Sequence, residues 1–247
     1  MEPAWKGEVK PFTKGPHPEI RPMSLVYQMS WNGKIKSGYT TMVFDKNHQH
    51  RNKMFLAQAY GRSSGVAGAL FPFSFVYNSF MRRGSYQPLI FIAQETDKSE
   101  KVITKNEYRK NNVTHTRTTT LKSDGKMVNT GHVFNQRNLH DALSAMFYIR
   151  ARKLDNGDVL KLALHPFKSA QLAEVKVLGR EMHQGYKCIK LDLKIKNIDM
   201  ATQELKSYKK LKKATLWISD DKDRILIELR SKVFIGDVRT VLVKRSP

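Results

Sequence analysis

Leu139-His140-Asp141-Ala142-Leu143-Ser144-Ala145-Met146-Phe147-Tyr148-Ile149-Arg150 reads as one short helix, and it precedes a ladder of alternating strands that includes Leu216-Trp217-Ile218-Ser219-Asp220-Asp221. A helix is expected to start near Asn138 or Asp141, either of which can cap it, with Leu139, Leu143, Met146, Phe147 and Arg150 at three- and four-residue spacing. Asn156-Gly157 closes that helix or the linker after it. Beyond it, Tyr186 to Lys196 alternates, with Ile189, Leu191, Leu193 and Ile195 on one face and Lys190, Asp192, Lys194 and Lys196 on the other. Leu211 to Ser219, Arg224 to Ile235 and Val238 to Lys244 continue the ladder, and Asp220-Asp221-Lys222-Asp223 is the turn between two of these strands.

Working outward, the region before the helix is also β. Leu25 to Trp31, then Asn32-Gly33, then Lys34 to Phe44 is a hairpin signal, because Asn-Gly supplies the positive φ angles of a tight turn. Further strands are expected at 52–60, 86–95, 101–109, 112–121 and 127–134, with Asp124-Gly125 as another turn. Between them Gly65 to Tyr77 is apolar on all sides and interrupted by Pro72, which predicts a short buried helix or an irregular plug. The first two dozen residues hold Pro3, Pro11, Pro16, Pro18 and Pro22 without periodicity, so residues 1–23 are expected to form an extended arm and 24–247 a single β-rich domain. The fold class that follows is mainly β: a curved antiparallel sheet or open β-barrel of about a dozen strands with one or two short helices.

Composition narrows the partners. Lys and Arg number 44 against 22 Asp and Glu, a net charge of +22, so the surface carries a positive field that favours anionic lipid, acidic polymer or nucleic acid. From Lys187 to Lys213 there are nine Lys and three acids, many of the lysines alternating with apolar residues as on a solvated sheet face. There is no helix-turn-helix, zinc-finger or ribonucleoprotein motif, which argues against nucleic acid. Cys188 is the single cysteine, so an intrachain disulfide is impossible. The longest uncharged apolar stretch, Gly65 to Tyr77, falls short of the ~20 residues a transmembrane helix requires. Met1-Glu2-Pro3 lacks the basic start and apolar run of a signal peptide, so the chain is either cytoplasmic or follows a removed leader.

Several short motifs carry weak chemistry. Gly61-Arg62-Ser63-Ser64-Gly65 has the spacing of a hydrolase nucleophile elbow, but that elbow needs a parallel β/α sheet, and a flexible turn is expected instead. His48 and His50 would share a strand face, yet no carboxylate cluster accompanies them, so no metal and no cofactor is expected. Asp220, Asp221 and Asp223 lack the glycine and terminal glutamate of a calcium loop. Asp141 is expected to cap its helix and Arg150 to pin it to the sheet, with Asp220 or Asp221 as the partner of Arg150.

Taken together, Leu25-Val26-Tyr27 through Trp31-Asn32-Gly33 and Gly38, then Asp141 to Ala145 with Tyr148 and Arg150, then Trp217 to Asp221 and Ile235-Gly236-Asp237-Val238 resemble an uncharacterised bacterial envelope family, the one catalogued as domain of unknown function 3108. The resemblance implies a periplasmic, exported protein whose leader was removed before Met1, and it implies no established activity. The expected function is a non-enzymatic binding or carrier protein for a lipid-like or anionic amphiphilic ligand. Phe71, Phe73, Phe75 and Tyr77 would form a lid, and Trp31 and Trp217 are candidate cavity walls. The alternative is a scaffold that binds acidic polymer or a protein through its basic face. The oligomeric state is left open.

Overall fold

The computed structural model describes residues 3–17, 19–45, 53–208, 213–232 and 237–247. After a four-residue helix, α1 (Trp5–Glu8), come β1 (Met23–Trp31), β2 (Ile35–Phe44), β3 (Met54–Ser63), α2 (Gly65–Leu70), β4 (Ser74–Arg82), β5 (Pro88–Thr96), β6 (Glu100–Tyr108), β7 (Asn112–Leu121) and β8 (Met127–Asn135). The chain continues through β9 (Leu139–His140), α3 (Ala142–Arg150), β10 (Val159–Leu164), β11 (Gln171–His183), β12 (Tyr186–Ile198), β13 (Leu205–Ser207), β14 (Lys213–Ser219), β15 (Leu226–Lys232) and β16 (Asp237–Ser246). All belong to one sheet in the order 8-7-6-5-4-3-2-1-16-15-14-12-11-10-9, with β13 paired to β12. Neighbours are antiparallel except β9 and β10.

The sheet curls until its two ends face each other. Phe91, Tyr108, Val113 and Phe134 from β5 to β8 share a buried cluster with Leu139, Ala163, Leu172 and Ile198 from β9 to β12. Packing joins these ends, since β8 and β9 are the termini of the hydrogen-bonded path. Restricting β9 to two residues limits the edge left open to other chains. Helix α3 fills the concave side, where the fully buried Phe147 meets Phe44, Phe55 and Tyr86 at ring-centre distances of 4.9, 4.8 and 5.3 Å.

The local expectations hold at the turns. Asn32 and Gly33 have φ of 50° and 69°, as a tight hairpin requires, and Gly125 closes the β7–β8 turn at 71°. Asp141 is the N-cap of α3: its Oδ1 accepts from the backbone N–H of Leu143 (2.8 Å) and Ser144 (2.9 Å), while Ser144 Oγ accepts from the Asp141 N–H (2.9 Å). Leu139 is therefore outside the helix, in β9.

The stretch from Gly65 to Tyr77 departs from expectation. Helix α2 has no buried residue, and Phe75 and Tyr77 belong to β4, a strand hidden in the sequence by its unbroken apolar character. Strands β10 and β11 have no counterpart among the expected strands; a bulge between Val177 and Gly179 breaks the alternation by which β11 would be recognised. The arm before β1 is not wholly extended, because Trp5–Glu8 turns once as α1 and buries Trp5. His48, His50, Leu211, Ile235 and Gly236 lie outside the described residues. Among the described residues no helix is long and apolar enough to cross a membrane.

Candidate functional site

The inward faces of α3 and of β10 to β15 do not meet completely, and a cavity of 380 Å³ remains between them. Period-two alternation builds its walls: Leu162 and Leu164 on β10, Leu191, Leu193 and Ile195 on β12, Leu216 and Ile218 on β14. Opposite them Ala142, Ala145, Met146 and Ile149 form one stripe of α3. Small residues at 142 and 145 keep the helix backbone from filling the gap with side chain. Gln171, Tyr208, Arg150 and Arg224 bring polar atoms to an otherwise apolar lining.

The arginines are held by backbone. Arg150, 3% exposed, donates through Nε to the carbonyl of Asp223 (3.0 Å) and through Nη2 to those of Glu19 (2.9 Å) and Lys222 (3.3 Å). Its Nη1 donates to the carbonyl of His17 and to the Tyr86 hydroxyl, both at 3.3 Å. The expected pairing with Asp220 or Asp221 does not form, because those side chains are engaged elsewhere. Asp220 accepts from Arg180 Nε at 2.9 Å. Asp221 closes its own turn, accepting from Ser219 Oγ (2.8 Å) and the N–H groups of Asp223 and Arg224 (2.9 Å each). Arg150 thus pins α3 to the turn and to the N-terminal arm through carbonyl oxygens. Tyr148 reinforces the arm, its hydroxyl donating to the Pro11 carbonyl at 3.3 Å.

Arg224 sits in the left-handed region at φ 45° and donates through Nη1 to the carbonyls of Arg150 and Arg152 and through Nη2 to that of Lys153. The first is the last carbonyl of α3 and the other two belong to the segment just after it, so the guanidinium caps the helix end and ties it to the chain that follows. Its Nε is buried with no hydrogen-bond partner among the described residues. Burial lowers the pKa of both arginines, and neither forms an ion pair with a carboxylate among the described residues. The nearby Asp223 carboxyl is instead taken by Arg21 and Arg245, whose hydrogen bonds outweigh the upward push of burial and hold it below the usual carboxylate range.

None of Trp31, Phe71, Phe73, Phe75, Tyr77 and Trp217 is among the residues lining this cavity. Phe71 and Phe73 project into solvent, so they do not form a lid over it. Phe73, just before β4, and Phe75 and Tyr77 within it form a row of tilted rings, with ring centres 6.1 and 4.6 Å apart, and Tyr77 reaches Phe167 of the cavity wall at 5.5 Å. Trp31 is half-buried at the end of β1. Trp217 is buried, lies parallel to His183 at 4.1 Å and donates from Nε1 to Glu181 at 2.7 Å. Ser63 of the elbow-like motif is a tie: its Oγ donates to the carbonyls of Phe71 and Phe73 and accepts from the Phe73 N–H at 2.9 Å.

A second polar cluster closes the seam between the sheet ends. His115 and His132 are opposite each other on β7 and β8, and His132 Nε2 lies 3.0 Å from Nε2 of His165, which follows β10. Asn106 and Tyr108 of β6 donate to the His165 carbonyl at 2.8 and 2.7 Å. Burial pushes His115 down to about 4 and His165 down to about 3, and lowers His132 as well, so burial favours the neutral form of each ring. Among the described residues no group of three or more His, Cys, Asp or Glu is placed to hold a metal ion.

The fold has structural relatives. A β-barrel-like protein of domain of unknown function DUF1849 from Brucella abortus superposes with a TM-score of 0.56 at 9% identity, over 92% of this chain and 98% of its own. A candidate exported protein with a YmcC-like fold from Bacteroides fragilis (9% identity, 95% and 100% coverage, TM-score 0.36) and a candidate lipoprotein from Parabacteroides distasonis (10%, 96% and 97%, TM-score 0.35) are too distant in shape to bear on the fold. No curated protein gives a significant match. Residues 26–243, which span the sheet from β1 to β16, match the family described as protein of unknown function (DUF3108), and the chain belongs to that family.

Proposed function

We propose that the protein is a non-enzymatic carrier or binding protein of the bacterial cell envelope, exported to the periplasm, which takes the apolar part of an anionic amphiphile into the cavity beneath α3. The observation that carries this reading is the pairing of a 380 Å³ apolar cavity with two buried arginines that have no carboxylate partner among the described residues. That volume is within the roughly 300–1,000 Å³ of small-molecule sites. An alkyl chain burying about ten methylenes there gains about 8 kcal/mol, on the micromolar scale before the cost of ordering it. The orphaned Arg224 Nε is a donor to which a carboxylate or phosphate oxygen can add without breaking the bonds that cap α3. The periplasmic setting follows from the family resemblance.

Native mass spectrometry with organic extraction, on protein recovered from its own cell envelope, tests the reading. A stoichiometric amphiphile that disappears in Met146→Trp, a substitution that fills the cavity, is the expected result. A clean apo mass, or a ligand that persists in the filled variant, overturns it and favours the basic face as a scaffold for acidic polymer or protein.

A further inference from the structure

The surface around α2 combines two properties that soluble surfaces keep apart. Val66, Leu70, Phe71 and Phe73 are 68%, 64%, 75% and 41% exposed, so a helix with no buried residue carries large apolar side chains outward. The segment is nonetheless well tied. Ser64 N–H donates to the Ser37 carbonyl at 3.0 Å, Phe71 N–H to that of Ala67 at 2.8 Å, and Ser63 fixes Phe71 and Phe73 as described. It is a built protrusion.

Sheet register places the β1–β2, β5–β6 and β7–β8 turns at the same strand ends as α2. These ends carry exposed Lys34, Lys36, Arg62, Lys98, Lys101 and Lys122. Arg62 and Lys122 share one shallow depression with Pro72, Phe73 and Asp97, whose carbonyl accepts from Lys122 Nζ, so two cations stand directly beside the apolar side chains. The acids at these ends are occupied. Asp97 accepts from the N–H groups of Ser99 and Glu100, Asp124 from that of Lys126, Glu95 from the Tyr77 hydroxyl, and Glu100 is 3.7 Å from Arg117.

We propose that this rim is a docking surface for an anionic phospholipid bilayer: Val66, Leu70, Phe71 and Phe73 enter the boundary between headgroups and acyl chains while the surrounding Lys and Arg side chains meet lipid phosphates. An apolar protrusion with a cationic collar is complementary to a surface that is negative outside and apolar beneath. An apolar groove on a protein partner would satisfy Leu70 and Phe71 but offer no anion to the surrounding Lys and Arg side chains. None of Val66, Leu70, Phe71 and Phe73 lines the cavity, so the inference goes beyond the carrier reading and does not depend on it.

Vesicle flotation of the full chain decides it. Vesicles of phosphatidylglycerol and phosphatidylethanolamine should carry the protein, vesicles of phosphatidylcholine alone should not, and salt should weaken the binding. Leu70→Ser with Phe71→Ser should weaken it by about tenfold or more, with circular dichroism unchanged because both side chains are exposed. The variant Phe71→Trp, which adds a fluorescent reporter at the tip to Trp5, Trp31 and Trp217, should show a blue shift of emission on vesicle addition beyond that of the parent protein. No flotation at low salt, equal flotation of the double variant, or unmoved emission from the Phe71→Trp reporter overturns the proposal. So does a dimer in solution that the double variant abolishes while vesicles bind neither form.

Discussion

Arg224 Nη1 donates to the backbone carbonyl of Arg150 at 3.3 Å, so two buried arginines interlock through main chain rather than through acids. Arg150 in turn reaches carbonyls at His17, Glu19, Lys222 and Asp223, drawing the N-terminal arm, the end of α3 and the β14–β15 turn to one point.

Arg150→Met should therefore cost about 3–5 kcal/mol, because it leaves several carbonyls without donors in a buried place. Arg150→Lys should rescue little of this, since one ammonium cannot reproduce the planar fork. Urea unfolding measures the loss, and limited proteolysis should show the arm before β1 cut first.

Asp141→Ala removes the acceptor of two N–H groups at the start of α3 and of the Ser79 hydroxyl at 2.7 Å. The cap alone accounts for about 1–2 kcal/mol and the stranded Ser79 for about 1–2 more. Asp141→Asn keeps an acceptor oxygen and no charge. Burial raises the Asp141 carboxyl to about 6, so charging it costs stability as pH rises through that value. The Asn variant should consequently retain most of the stability at neutral pH, as judged by thermal unfolding.

The histidine seam has the opposite sign. His115 and His165 are held well below 6.5 by burial, so in the unfolded chain they bind protons that the folded chain refuses. Their contribution is complete above pH 6.5 and is lost as pH falls from there through about 4 to about 3. His165→Asn should flatten that acid limb of the stability profile while leaving the bonds from Asn106 and Tyr108, which go to the backbone carbonyl, in place.

Cys188 is buried, and burial pushes its thiol up to about 11. A thiol reagent at neutral pH should leave it unmodified in the native protein and label it at the rate of unfolding, because β12 sits well inside the sheet. Rapid labelling without denaturant would contradict this placement.

The alternation from Ile189 to Ile195 is legible in the sequence, and three of its four apolar residues line the cavity. So are the Asn32-Gly33 turn and the Asp141 cap, which depend on local chemistry. The role of Arg150 as a pin can be read from its place on the helix, but its partners cannot, because backbone carbonyls have no sequence signature. The aromatic run at Phe71 to Tyr77 misleads for a related reason. Aromatic content reports a need for burial or contact, and only the sheet register shows that β4 divides the run between a solvent-facing knob and an inward stripe. The orphaned Arg224 Nε and the histidine seam arise from residues far apart in the chain.

Strand β16 pairs with β1 on one side and β15 on the other, with Ser24 opposite Ser246. The described strands thus form two meanders, β1 to β8 and β9 to β15, bridged by residues 237–246. During synthesis both halves must wait, each with a long unsatisfied strand edge, until those residues clear the ribosome exit tunnel. Joining the halves then requires closing the chain from β1 to β16 into a loop, which makes a slow step late in folding. Deleting β16 would leave two adhesive half-sheets, and moving it ahead of β1 by circular permutation would let assembly begin at the first hairpin.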